Sequence, residues 1–541
     1  AVDRAGALLL TAHTQAPSPR PTTTTHTPAA VADAVRAARL AAIAAEMGQT
    51  LQRTALSTNV KERLDFSCAI LDADGNLIVN APHIPVHLGA LGPCVRALRD
   101  AIDMGPDDVV VTNHPAFGGS HLPDITVVSP VHTDSGDLIG YVASRAHHAE
   151  IGGIAPGSMP PAARCLAEEG VVIPPTHLIR RGEDRSDALR ALLTSASHPS
   201  RAPDENMADL AAQAAANRLG AQALRALAES MGLPALAAAM RGLQDRAEHR
   251  LRAALRPRAG RTLRAEQHLD DGSPIRVRID VAADGSATID FAGSAPVHGG
   301  GFNAPAGVVR SAVIYVLRLL IDEPLPLNEG LMRAIDLRLP PGMLNPPFDP
   351  DPARCPPVSA GNVETSQRIV DTLLEAFDLA SGSQGTMNNV IFGSPTFGYY
   401  ETVCGGAGAG PGFDGASAVH THMTNTRITD PEILEHRYPV RLERFAIRRG
   451  SGGDGAFRGG DGVIREYRFL APLSLSLVTQ NRVRGPRGLH GGHDGLPGRQ
   501  RLTTAAGRTI DLAPTDSRPV APGDLLTLET PGGGGWGPPP A

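Results

Sequence analysis

The sequence predicts an α+β, mixed α/β fold of several subdomains, and three observations carry that expectation. Stretches with apolar residues at three- and four-residue steps are interleaved irregularly with period-two stretches, which argues against one regularly wound βαβ sheet. Glycine (59) and proline (47) far outnumber the aromatic residues, at 4%, so turns and loops occupy much of the chain. A length of 541 residues with 42% hydrophobic content supplies about two to four cores at roughly 100–200 residues per domain.

In chain order, residues 1–12 (AVDRAGALLLTA) read as a turn and short strand ending an upstream domain, and residues 13–30 as an extended Pro/Thr-rich linker. Residues 31–541 form the domain proper, opening with a helix over about 31–54 whose apolar positions recur at helical spacing. FSCAILDADGNLIV predicts a hairpin around Asp-Ala-Asp-Gly-Asn. DVVVTN, ITVVSPVHT and GDLIGYVASRAHH predict further strands, with residues 114–123 looping between the first two. Alanine-rich residues 204–255 predict one or two long helices, their apolar face at Leu210, Ala214 and Leu219 being packing surface. HLDDGSPIRVRIDVAADGSATIDFAG predicts paired strands, and helices follow near 308–320 and 364–379. Beyond Phe392 the chain is glycine-dense. The runs at 459–462 and 532–535 lack both a following helix and a lysine, so they read as turns or close backbone packing rather than phosphate cradles.

Composition excludes several functions. A net charge of −6 and pI ≈ 6.4 argue against nucleic-acid or anionic-membrane partners, and no run of about 18 apolar residues offers a membrane span. Lys61 is the single lysine among 50 Lys and Arg residues and has no glycine-rich lead, which rules out a P-loop within this sequence and all but excludes a Schiff-base lysine. The five cysteines (Cys68, Cys94, Cys165, Cys355, Cys404) are scattered without a C-x-x-C pair. They read as reduced, mostly buried thiols of a cytoplasmic protein rather than a disulfide frame or thiolate zinc site.

The densest group of metal-ligating residue types is His83, His87, Asn113, His114, His121, Asp124, His147, His148 and Glu150, together with Asp65. In GGSHLPD, the glycine pair permits close backbone approach and Pro123 stiffens the segment presenting Asp124. RAHHAEIGG ends a predicted strand, where neighbouring side chains point to opposite faces. Only one of His147 and His148 can therefore face a site from that strand. Imidazoles and carboxylates without thiolate suit Zn, Mn or Fe. Nineteen histidines in one chain also cluster by chance, so His-x-x-Asp alone is a weak sign. Ser120 beside His121 suggests nucleophilic chemistry, but no G-x-S-x-G elbow frames a serine. His420, His422 and Asp430 either line a cleft or cap a strand and a helix.

Five motifs in order carry a resemblance: NHPAFGGSHLPDITVVSPV, RAHHAEIGGIAPGSMPPAARCLAEEGVVIPP, GNVETSQRIVD, HTHMTNTRITDPEILEHRYPVRLERFAIRRGSGG and RGGDGVIREYRFL. Together they resemble the hydantoinase B/oxoprolinase family, whose members include the C-terminal half of ATP-dependent 5-oxoprolinase, the B subunit of N-methylhydantoinase and the metal-bearing subunit of acetone carboxylase. The resemblance implies a hydantoinase B-like fold for residues 31–541, and a hydantoinase A-like end for residues 1–12. It also implies an A-type partner, fused or separate, in a hetero- or homo-oligomer. That partner binds ATP and Mg and activates a carbonyl oxygen by phosphorylation, which agrees with the missing P-loop.

Carried over by position, the resemblance gives His121, Asp124 and His148 as ligands of a divalent metal (Zn, Mn or Fe), Asp65 as a fourth ligand, and His87 near the site. Glu150 or His147 is then a proton shuttle. Such a metal lowers the pKa of a bound water towards roughly 7, which suits attack on an activated lactam. The implied reaction is ATP-coupled opening of 5-oxoproline to glutamate; hydantoin hydrolysis and acetone-type carboxylation share the motifs. A non-catalytic scaffold is disfavoured by the retained ligand candidates. Departures from the family pattern are His114 where many relatives have Asp, Phe117 nearby, Glu150 where Asp is usual, and the ending GWGPPPA.

Overall fold

The computed structural model describes residues 29–80, 84–323 and 325–540. The expected upstream-domain end, nearly all of the linker, and His83 lie outside the described residues. Four sheets organise the rest.

The first sheet orders seven strands in space as Leu77–Asn80, Phe66–Asp72, Leu138–His147, Asp124–His132, Val109–Thr112, Thr176–Arg180 and Glu183–Asp184. Every pairing is antiparallel. The predicted hairpin is its first pair. Its central strands are buried along nearly their whole length because both faces are covered. On one face lie the helices Ala29–Thr54 and Pro203–Met231, which share a core with Phe66, Ile70 and Val142. On the other lies Leu91–Ala101, a helix that sequence periodicity did not single out, burying Leu91, Val95 and Leu98. The long alanine-rich segment is two helices, Pro203–Met231 and Leu233–Leu255, broken at Gly232 with φ 81°.

Thr262–His268, Pro274–Val281, Ala287–Asp290 and Ile335–Arg338 form the second sheet, whose last two strands pair in parallel. Helices Ala306–Leu319 and Ser366–Ala376 share its core. The second of these helices is preceded by a π-turn, Gly361–Thr365, a local widening of the helix that recurs at functional sites.

The remaining two sheets share one core built on Phe392, Tyr467 and Phe469. Here the glycine runs act by close packing: a Cβ on Gly460 would lie 2.0 Å from the Ala416 carbonyl oxygen, and one on Gly533 1.9 Å from that of Ala407. No helix among the described residues is long and apolar enough to cross a membrane, and all five cysteines are free.

Candidate metal centre

The site is built where two strand ends of the first sheet meet the π-turn and the strand Phe397–Glu401. The loop before Asp124 is held from several sides. Asn113 donates its amide to the carbonyls of Leu122 and Val171 (both 2.9 Å) and accepts from the Ile173 N–H (2.7 Å). Buried Arg145 donates to the Gly118 carbonyl (2.8 Å). At Gly118, φ is 80° and a Cβ would sit 2.6 Å from the Cα of Cys94, so only glycine lets the loop press onto the Leu91–Ala101 helix.

Asp124 opens its strand directly opposite His147, the last residue of the neighbouring strand. Opposed residues of an antiparallel pair present side chains on one face. His121, Asp124 and His147 thereby each bring a ligand atom within 4.8 Å of the others, all three buried. His121 Nε2 is 3.3 Å from Asp124 Oδ1, and the two imidazole rings lie 5.0 Å apart edge to face. Both ring nitrogens of His121, Nε2 of His147 and Oδ1 of Asp124 are buried without a hydrogen-bond partner. Buried polar atoms are nearly always paired, so three residues that each offer an unpaired atom within 4.8 Å of the others fit a divalent cation, and this donor set suits Zn, Mn or Fe.

The surrounding contacts hold these groups. Ser120 donates its hydroxyl to Asp124 Oδ2 (2.5 Å), an oxygen that also lies 3.4 Å from His87 Nε2 and 3.5 Å from the Asn362 amide. His87 contacts the Ser67 hydroxyl through Nδ1 (3.0 Å). The Asn59 amide meets His147 Nδ1 (2.9 Å), and the ring stacks on Tyr400 at 4.6 Å. Burial pushes the Asp124 carboxyl up, but His121 and His87 more than reverse this and hold it well below the usual carboxylate range. Burial, reinforced by His121, keeps His147 far below its ordinary value, and burial likewise lowers His87 against the pull of Asp124. Neutral imidazoles and an ionised carboxylate are the states that ligate metals.

Four of the expected site residues are placed as follows. His148 points away from the cluster: its Nδ1 meets the Asn206 amide and its Nε2 the Gln213 amide oxygen (both 3.2 Å), because strand alternation turns it toward the Pro203–Met231 helix. His147, expected as a proton shuttle, is the histidine that joins His121 and Asp124 in the cluster, the place expected of His148. Glu150 spends its carboxylate on the N–H groups of Gly152 (2.5 Å) and Gly157 (2.8 Å) and on Arg201 (3.1 Å); it fastens the following loop rather than facing the cluster. Asp65 is beside the triad and not one of its three members. Its backbone carbonyl accepts the His147 N–H (2.9 Å), and burial lifts its carboxyl to about 7 against the pull of Arg63.

Asp65, His87, Asp124, His147, Asn362 and Tyr400 line a cavity of only ≈ 10 Å³, about the space of one water or ion. Sequence reading missed Asn59, Asn362 and Tyr400 as site residues. The HTHMTN segment divides: Met423 and Thr424 line the cavity, His422 pairs with Asp371 (3.1 Å), and Asp430 caps the helix Pro431–Arg437. His114 caps a short turn by accepting the Ala116 N–H (3.1 Å).

The chain is similar to known proteins in sequence and in fold. The hydantoinase B/oxoprolinase family model matches residues 30–539. 5-Oxoprolinase 1 of Arabidopsis thaliana is 46% identical over 524 residues, covering 92% of this chain and 41% of that protein. 5-Oxoprolinase of Dictyostelium discoideum is 42% identical over 510 residues, covering 92% and 39%. This chain thus spans about two fifths of the length of these relatives. The crystal structure of an ATP-dependent caprolactamase from Pseudomonas jessenii superposes with a TM-score of 0.84 at 27% identity, covering 94% of this chain and 91% of that one.

Proposed function

This chain belongs to the hydantoinase B/oxoprolinase family, and on that footing we propose that it is the metal-bearing half of an ATP-dependent cyclic amide hydrolase. The substrate we favour is 5-oxo-L-proline, opened to L-glutamate with hydrolysis of ATP to ADP and phosphate. The observation that carries the reading is the buried His121–Asp124–His147 cluster with its orphaned donor atoms. We assign ATP and Mg to a hydantoinase A-type partner domain or subunit, since Lys61 is the single lysine and no P-loop is present, and we place the protein in the cytoplasm.

A lactam nitrogen is a poor leaving group, so phosphorylation of the carbonyl oxygen by the partner prepares the ring for attack. A divalent cation bound at the cluster supplies Lewis acidity and a nucleophile at neutral pH. The residues of this chain do the rest. His121, Asp124 and His147 hold the cation, Ser120 and His87 fix the Asp124 carboxylate, and Tyr400 and Asn59 fix the His147 ring. Asp65 and His87 line the cavity and are the groups we assign to exchange a proton with the ring nitrogen. The closed walls exclude bulk water, so the ring enters only when lining residues such as Met387 and Met423 move. The caprolactamase likeness favours a second reading, a larger lactam at the same centre. Substrate-dependent ATP turnover with the A-type partner tests both: Asp124→Ala should abolish ring opening, and ring opening that survived this change would remove the metal role.

A further inference from the structure

We propose that a second pocket, set back to back with the metal cavity, binds a small oxyanion through Arg368 and Arg484. The pocket measures ≈ 650 Å³, within the roughly 300–1,000 Å³ typical of small-molecule sites, whereas the metal cavity admits little more than an ion. Two chain segments join the two spaces. Asn362 lines the metal cavity and Arg368, six residues on in the same helical run, lines the pocket, about 9 Å away at helical rise. Met387 lines the metal cavity, while Gly385, with φ 60°, packs against Arg368, Asp371 and Asn481; a Cβ there would come 2.6 Å from the Asn481 amide, 2.9 Å from the Asp371 carboxylate and 3.2 Å from the Arg368 guanidinium.

Arg368 is the anomaly. Its side chain is 4% exposed, its Nη2 donates to the neutral Asn481 amide oxygen, its Nε has no partner, and no ion pair is made to it among the described residues. A buried charge normally carries a counter-ion, because desolvation is otherwise uncompensated, and the nearby Asp371 carboxylate pairs with His422 (3.1 Å) instead. Arg484, exposed on the pocket lining, likewise makes no ion pair among the described residues. The acids of the lining are already engaged: Glu266 with Arg276 (2.9 Å), Asp270 with the Arg482 N–H (2.8 Å) and Asp494 with the Gly488 N–H (2.8 Å). Arg487 is taken by Glu375 (2.7 Å). The pocket offers a ligand the guanidinium of Arg484 and that of Arg368, whose one hydrogen-bond partner among the described residues is the neutral Asn481 amide; their planar donor forks match carboxylate and phosphate oxygens. Resting on the reading above, the anion is the carboxylate of the lactam or the phosphoryl group placed on it, held beside the metal cavity.

Calorimetric titration of the full chain with L-5-oxoproline, 2-pyrrolidinone and inorganic phosphate tests this. At least one anion should bind, the uncharged lactam should not, and Arg368→Gln and Arg484→Gln should each weaken the anion at least tenfold while metal content stays unchanged. Binding of 5-oxoproline alone identifies the carboxylate as the group recognised; binding of phosphate alone identifies the phosphoryl group. The exposed Arg484 keeps the test valid if the buried Arg368 variant misfolds. Absence of anion binding, or equal binding in wild type and Arg484→Gln, overturns the proposal, and metal content reports separately on the metal centre.

Discussion

Removing the Glu169 carboxylate should loosen the π-turn without touching a metal-ligand candidate. Glu169 is fully buried, and its oxygens accept the N–H groups of Val358 (3.0 and 2.9 Å) and Ser359 (2.9 Å). Burial lifts its carboxyl to about 6, so at pH 8 it is ionised and the bonds are charge-assisted. Glu169→Ala strands two buried N–H groups, each costing about 1–3 kcal/mol; a total near 4 kcal/mol is expected. Glu169→Gln keeps one acceptor oxygen and should cost about half of that. Because Asn362, which follows in the π-turn, reaches Asp124, the Ala variant should also bind metal more weakly. Urea unfolding of the metal-free chain at pH 8 measures the first effect. A loss below about 1 kcal/mol in Glu169→Ala would refute the idea that these bonds hold the turn.

His148→Ala should retain the metal yet cost about 2–4 kcal/mol, since Asn206 and Gln213 lose their buried partner, whereas His147→Ala should lose the metal; metal analysis and urea unfolding of both variants read this, and the opposite pattern would restore His148 as ligand. Glu364 is held at about 8 by burial, despite N–H donors from Met387 and Asn389. Its stabilising contribution is therefore full below pH ~4.5 and lost as pH rises to about 8, on the order of 5 kcal/mol at about 1.36 kcal/mol per unit. Glu364→Gln should flatten that decline in a pH series of unfolding midpoints, and an unchanged slope counts against it. Gly533→Ala forces a Cβ to within 1.9 Å of the Ala407 carbonyl and should cost at least about 1–3 kcal/mol; a wild-type unfolding midpoint would contradict the close-packing role.

Much of the fold was legible because its signals are local. Asp-Gly turns and period-two runs marked the hairpins, and helical spacing marked Ala29–Thr54 and the alanine-rich pair. The Leu91–Ala101 helix escaped notice because Gly92 and Pro93, both poor helix formers, fall in its first turn. At the site, strand alternation allowed only one of His147 and His148 to face inward. Choosing between them needed the Asp124–His147 pairing, a register that no local spacing encodes. Glu150 sits among conspicuous ligand types, yet its partners are backbone N–H groups that a sequence does not display. Asn362 and Tyr400 reach the cavity from more than 200 residues beyond Asp124, brought there by packing of separate sheets. The sequence showed a helix from about Glu364, and only the fold showed that the π-turn overlapping its start brings Asn362 to the cavity beside Asp124.

The account stands most directly on metal content measured by mass spectrometry in the wild-type chain and in His121→Ala. It predicts about one Zn, Mn or Fe per wild-type chain and loss of that metal in the variant. Equal metal in both, or none in either, would contradict a cation held by His121, Asp124 and His147.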